Sequence, residues 1–316
     1  MLVMVAGLAW LCSVATSARE RATQEHGWQP AYKSWGDPDL EGIWTADEMD
    51  GVPLERAKRS GADRLTEAEA VARVSTHLDN FVNIDTVGNY GIEWRDTAPG
   101  LSRYKPSTQA SVVIDPPDGR LPPLIPEAAQ RLAAAAQRAN LGRPGSWEDL
   151  STWQRCITRG LPLDAQVYNN GLQIVQSHGV VTMLREMIHE VRVIPLDGRP
   201  HLPATVTQWL GDSVGHWEGA TLVVDVTNFN AGTNFHGSGT RLHLIEYFTR
   251  LSPDKLEYRF TVDDPTTWTK PWTGRLTLTR DAHYGLFEYA CHEGNYSLPN
   301  TLSGARAEER RVNVRH

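Results

Sequence analysis

The residues with the most chemical capacity lie in the second half of the chain. The densest stretch is Glu288-Tyr289-Ala290-Cys291-His292-Glu293-Gly294-Asn295-Tyr296. Read as a strand, it sets Glu288 and His292 on one face among aromatics. A carboxylate beside an imidazole in a partly dry setting can be tuned to trade protons near neutrality. The competing reading is a hydrogen-bonded strand end with no chemistry. Two further imidazoles are alternative acids or bases. His189 lies in Glu186-Met187-Ile188-His189-Glu190-Val191-Arg192. Strand alternation there groups His189 with Arg185, Met183, Met187, Val191 and Val193, a setting in which a histidine also serves as a satisfied core residue. His201 lies in Pro195-Leu196-Asp197-Gly198-Arg199-Pro200-His201-Leu202, where an Asp-Gly turn leads into a proline-stiffened segment at the rim of a sheet.

Side chains suited to holding a substrate surround these. Arg199 can grip an anionic group. Trp217 and Asp225 belong to the run Gly211 to Phe229, which reads as a hairpin tip leading into a strand. The stretch Asp264-Pro265-Thr266-Thr267-Trp268-Thr269-Lys270-Pro271-Trp272 sets Asp264, Trp268 and Trp272 around a proline-held loop, suited to a flat or sugar-like ligand or to a tryptophan-packed corner.

Motif searches exclude more than they assign. His189-Glu190 and His292-Glu293 each lack the second histidine of a zinc-protease helix. The chain has no Cys-x-x-Cys, no phosphate-binding loop, no dinucleotide fingerprint and no Gly-x-Ser-x-Gly elbow. The histidine spacing carries no metal-site pattern, so neither a metal nor another cofactor is expected. A net charge of −7, spread without a basic stripe, excludes a nucleic-acid footprint and leaves a small molecule as the expected partner.

The chain has 316 residues, enough for one large β domain with a sizeable core. Residues 1–18 read as a secretory signal. An uncharged apolar run reaches Cys12, small residues follow, and cleavage is expected after Ala18. The run is short for a membrane span, and none is expected once it is removed. The mature chain is then periplasmic or secreted. Cleavage removes one of the three cysteines and leaves Cys156 and Cys291, a natural disulfide candidate in an oxidising compartment, the alternative being two unrelated buried thiols. Residues 19–36 read as a mobile leader, and residues 37–316 as a single domain.

Positioning falls to the elements of that domain. Gly42-Ile43-Trp44 is similar to the first-strand Gly-x-Trp of lipocalin-like and avidin-like barrels, where the tryptophan closes one end. Leu65 to Phe81 is predicted helical, with Thr66 and Glu69 as a capping box. Residues 83–110 read as irregular, with Tyr90, Trp94, Arg95 and Tyr104 among them. Ser111 to Ile114 is a short strand, Pro126 to Asn140 a helix with proline in its first turn, and Ser146 to Cys156 a short helix. Helical character is thus confined to residues 65–156. Strands follow at Leu172–Gln176, Val180–Pro195, Ala220–Phe229, His243–Leu251, Lys255–Asp263, Thr273–Arg280 and Leu286–Cys291. Val180–Pro195 is long enough to bend or to form two strands. Leu256, Tyr258, Phe260 and Val262 alternate with polar residues in the period of two of a half-buried strand. The expected fold is mainly β: an antiparallel lipocalin-like barrel or strongly curved sheet of about eight strands, with two or three helices from the N-terminal half packed against it.

Several stretches carry a wider likeness: Asp115 to Arg120, Tyr168-Asn169-Asn170, Pro195 to Leu202, Trp217 to Phe229, Asp264 to Trp272, and Tyr289 to Asn295 with Ser303 to Arg306. On them the chain resembles a large family of uncharacterised exported bacterial proteins. The resemblance covers nearly the whole mature chain and implies an exported β protein. It adds Tyr168, Asn170 and Asn295 to the substrate-binding candidates. The family more often has a basic residue at Val214 and an acid at Ala220, which makes both poor choices for an essential role.

The resulting expectation is an exported, cofactor-independent lyase, isomerase or hydrolase acting on a small organic substrate at a barrel mouth. Two rivals stand beside it: a non-catalytic lipocalin-like binding protein and a structural protein of the cell envelope.

Overall fold

The computed structural model describes residues 28–58, 61–82, 105–140, 144–165, 168–233, 235–280 and 282–313. The expected signal segment and the aromatic stretch from Tyr90 to Tyr104 lie outside these residues. Among the described residues, ten antiparallel strands form a nearly closed barrel-like sheet, accompanied by three α-helices. The strands are β1 (Gly42–Thr45), β2 (Val113–Asp115), β3 (Leu172–Ser177), β4 (Val180–Arg185), β5 (Glu190–Pro195), β6 (Asp212–Glu218), β7 (Thr221–Thr227), β8 (His243–Ser252), β9 (Lys255–Asp263) and β10 (Trp272–Arg280). Their order around the barrel is β5-β4-β3-β1-β10-β9-β8-β7-β6, with β2 paired to β10 beside β1.

Neighbours along that path all run antiparallel, and the path has nine strands. An odd count means that β5 and β6, at its two ends, point the same way. They meet through side chains at a seam. Arg192 Nε donates to Ser213 Oγ at 2.9 Å, and a Cβ on Gly215 would meet Ile194 and Leu196 at 2.8 and 2.7 Å. Because β5 and β6 are parallel, the chain must return along the barrel between them. Residues 196–211 do so as a crossover, fastened to the end of β7: Asn228 Nδ2 donates to the carbonyls of Leu202 and Pro203.

Alternation along the strands fills the interior. In β8, Leu244, Glu246, Phe248, Arg250 and Ser252 are buried while the residues between them face outward. The rings of Phe248, Tyr258, Phe260 and Trp272 follow one another through the core with centroids 4.9, 5.4 and 5.8 Å apart. Trp44 is fully buried, its Nε1 donates to the Leu40 carbonyl, and the Arg250 guanidinium lies 5.4 Å from its ring centre.

Local sequence explains the helices. α1 (Glu67–Val82) opens with the expected box: Thr66 N donates to Glu69 Oε2 and Glu69 N to Thr66 Oγ1. α2 (Pro126–Asn140) starts on its proline. α3 (Ser297–Asn313) begins where Asn295 Oδ1 accepts from Ser297 N. The sequence reading did not anticipate this helix, so one of the three comes from the C-terminal end rather than the N-terminal half.

Four local expectations are corrected. Residues 286–291 form no strand: both edges of β10 are already taken, by β9 on one side and by β1 and β2 on the other. Phe287 N donates to Glu186 Oε1 instead. Gly211 to Gly219 is not a bare turn but contains β6, and its end glycines supply the positive φ values of 68° and 61° that the turns need. Only Trp147–Asp149 is helical within 146–156, held by the Ser146 and Asp149 capping box. Finally, Val180 to Pro195 takes the two-strand alternative, split at 186–189 where Ile188 and His189 have φ of 67° and 43°, and it is the expected facing of its second half that is corrected. The split changes the phase of the alternation, so Arg192 and Ile194 point inward and Val191 and Val193 outward.

Candidate functional site on the outer face of the barrel

The crossover carries His201 onto the outer face of β6, β7 and β8. His201 Nδ1 stands 2.9 Å from Asp212 Oδ2, and its Nε2 stands 2.9 Å from Asp225 Oδ1. Asp225 faces outward on β7 between the buried Val224 and Val226. His243, at the outward first position of β8, sets its Nε2 3.1 Å from Asp225 Oδ1 and 3.0 Å from Oδ2. Asp212 also accepts from Leu202 N at 2.8 Å, which locks the turn holding His201. The four side chains therefore form a continuous chain, Asp212–His201–Asp225–His243.

Charge stabilises this chain internally. The hydrogen bond that His243 donates to Asp225 raises the imidazole above its ordinary range against the opposing effect of burial, and the charges of Asp225 and Asp263 add to it. Burial pushes the Asp225 carboxyl up, but the hydrogen bonds and charges of His243 and His201 outweigh it and leave the group below its usual value.

A groove of about 760 Å³ adjoins the chain. Val180, Val191 and Val193 form its wall on the sheet, and Leu202, Trp209 and Leu210 the wall on the crossover. Arg192 and Ser213 lie at the seam, and Arg199 and Asp212 lead to His201. The groove lies outside the barrel, because the interior is filled by the ring stack. Its volume is in the range of small-molecule sites.

The other candidates are dispersed. His292 and Glu288 are exposed in the irregular segment after β10, and no hydrogen bond or ion pair joins them among the described residues. His189 Nδ1 lies 3.1 Å from the Tyr289 carbonyl. Arg199 pairs with Asp197 in its own loop, Nε to Oδ1 at 2.8 Å and Nη2 to Oδ2 at 2.6 Å. Trp217 packs half-buried against the core. Trp268 and Trp272 are core residues at 5% and 0% exposure, which removes them from any open wall. Asp264 organises its turn, accepting from Thr266 N, Thr266 Oγ1 and Thr267 Oγ1. Asn170 Nδ2 donates to Asp47 Oδ1 at 2.6 Å, and Asn295 Nδ2 to the Cys291 carbonyl at 3.1 Å. Burial, then the neighbouring Tyr289, pushes the Tyr168 phenol up to about 12.

Cys156 and Cys291 form the expected disulfide. It anchors the segment whose Tyr284 hydroxyl and Phe287 N–H both donate to the buried Glu186. Together with the finding that no helix among the described residues is long and apolar enough to cross a membrane, the disulfide is compatible with an exported protein.

Of the polar sequence candidates, His201 and Asp225 are brought into hydrogen-bonding contact, while Trp268 and Trp272 pack edge to face in the core. Asp212 and His243 were missed. Each opens a strand, and only the pairing of β6 with β7 and of β7 with β8 brings them to Asp225. No family model, curated protein or solved structure matches the chain.

Proposed function

We propose that the protein is an exported enzyme that performs acid–base chemistry on a small organic substrate, with the Asp212–His201–Asp225–His243 chain as its chemical group and the adjoining groove as the substrate site. This moves the reacting groups from His292 and Glu288, which are exposed and not joined by a hydrogen bond, to the imidazoles and carboxylates that are. The observation that carries the reading is the position of His201. It meets a carboxylate at each ring nitrogen, 2.9 Å away in both cases, and its neighbours Arg199, Pro200 and Leu202 line the groove. Asp212 holds His201 in register. Asp225 and His243 are the partners that take and return protons, as a positioned imidazole–carboxylate pair does in lyases, isomerases and hydrolases. The valines and Trp209 hold the apolar body of the substrate, and Arg199 meets its polar end.

A positioned acid or base contributes about 10²–10⁴-fold to a rate. Turnover of hydrolase, lyase and isomerase substrate panels by the secreted chain, compared with Asp225→Asn and His243→Ala, tests the assignment. Losses of that order are expected. Unchanged rates in both variants would remove these residues from the chemistry.

The size of the groove favours a second reading, a binding protein without catalysis. It predicts ligand affinity that depends on Val191, Val193 and Trp209 and survives Asp225→Asn.

A further inference from the structure

We propose that the groove takes an amphipathic monocarboxylate, its apolar body on the valine wall and its carboxylate on Arg199, and that Asp197 is the internal carboxylate it displaces. The inference rests on the acid–base reading above for its biological use and names the substrate class of the same site, but its test is binding and needs no turnover.

The charges along the groove single out Arg199. Among the described residues, three charged side chains line it: Arg192, Arg199 and Asp212. Arg192 is committed to the buried Glu246 and to Ser213 Oγ. Asp212 is committed to His201 Nδ1 and to Leu202 N. The guanidinium of Arg199 is held by Asp197, two residues back in its own loop, and the two side chains are 59% and 50% exposed. An ion pair so exposed is screened by water and exchanges readily. Its geometry is that of a captured carboxylate. Nε donates to Oδ1 at 2.8 Å and Nη2 to Oδ2 at 2.6 Å, the two parallel bonds of a guanidinium fork. A ligand carboxylate can take over the same two donors. The hydrogen bond from Arg199 lowers the Asp197 carboxyl to about 2, so this internal competitor is ionised wherever a ligand carboxylate is.

The apolar wall decides which carboxylate wins. Val191 and Val193 point outward on β5 and are 57% and 58% exposed, with Leu202 and Trp209 across the groove from them. Branched side chains left in water on a sheet face gain from cover in proportion to the apolar area removed from solvent. Asp197 brings a carboxylate without an apolar body, whereas the ligand brings both. A turn clamp needs less than the fork. Gly198 with its φ of 71° and the bond from Arg199 N to Asp197 Oδ1 at 3.2 Å already make the turn. Arg199 and His201 are two residues apart, and Arg199 feels the charge of Asp212, so a ligand held there lies beside the imidazole–carboxylate chain.

The test is calorimetric titration of the purified protein with matched pairs of equal shape and different charge: phenylacetate against phenylacetamide, and hexanoate against hexanamide. The two bodies distinguish a ring from a chain. In at least one pair the carboxylate should bind about tenfold more tightly than its amide. Arg199→Gln should remove that preference, and Arg199→Lys, which keeps the charge without the fork, should retain part of it. Asp197→Asn keeps the oxygen that accepts from Arg199 N but removes the competing charge, and should tighten carboxylate binding several-fold. Val193→Thr should weaken carboxylate and amide alike, and Arg311→Gln on α3 should change nothing. Carboxylates and amides that bind equally or not at all, a preference that persists in Arg199→Gln, or no gain in Asp197→Asn overturns the proposal. Turnover lost in Asp225→Asn without any carboxylate preference would remove this substrate class and keep the acid–base reading. A carboxylate preference with no turnover in any panel would keep the class as ligand and remove the chemistry.

Discussion

Arg192 of β5 forms a buried ion pair with Glu246 of β8, although the two strands lie near opposite ends of the sheet path. Glu246 is fully buried and Arg192 nearly so. The pair is completed by Tyr258 Oη donating to Glu246 Oε1 at 2.8 Å and by Arg192 Nε donating to Ser213 Oγ. Arg192 also lines the groove. The interior of the barrel and the candidate site therefore meet at the seam between β5 and β6.

Removing one partner of this pair leaves a buried charge without its counterpart. Glu246→Gln should destabilise the protein by about 3–5 kcal/mol in chemical denaturation. An apolar pair, Arg192→Met with Glu246→Leu, should recover most of that loss, because desolvation cancels much of what a buried pair gains. A double variant no more stable than Glu246→Gln would contradict this account of the seam.

The disulfide closes a loop of sequence separation 135, and both of its cysteines lie outside the strands. Cys156→Ser/Cys291→Ser should cost about 2–5 kcal/mol of stability. The loss should be local in hydrogen exchange, with amides of residues 284–291 exchanging faster while β7, β8 and β9 keep their protection. Uniform loss of protection across the sheet would show that the bridge supports the whole fold.

Tyr168 gives a pH dependence whose sign follows from its surroundings. Burial and Tyr289 raise its phenol to about 12, against an unfolded value of 10.0. The folded state therefore holds the proton more tightly. The stability this contributes is complete below about 10 and is lost as pH rises through about 12. Wild type should lose stability over that window, and Tyr168→Phe should lose less. Ultraviolet titration should show the latest tyrosinate step reduced in the variant, with the fully buried Tyr258, itself raised well above its ordinary value, accounting for what remains. An unchanged titration curve in Tyr168→Phe would contradict the assignment.

Much of the fold was legible from short-range pattern. Thr66 and Glu69, Pro126, and the alternation from Leu256 to Val262 each state an element in a few residues, and the Cys156–Cys291 pair followed from composition and compartment. What was not legible depended on pairing. Nothing local in residues 286–291 reveals that both edges of β10 are occupied, and the left-handed turn at Ile188 and His189 reverses which face Arg192 and Val193 occupy. The site was half visible for the same reason. His201 and Asp225 stood out by type and by neighbouring turns. Asp212 and His243 open strands with no motif around them, and their relation to Asp225 is a matter of strand register and of a crossover that must exist because β5 and β6 are parallel.

The central claim is that function resides at the His201–Asp225–His243 cluster and the groove beside it. Its most direct test is a nuclear magnetic resonance screen of small aromatic and aliphatic carboxylate fragments against the purified protein, labelled at histidine rings and valine methyls. The account predicts that binding fragments shift the His201 and His243 ring signals together with the Val191 and Val193 methyls, and that Asp225→Asn weakens those responses. Fragments that instead move His292 or His189, with His201 and His243 unaffected, would contradict it.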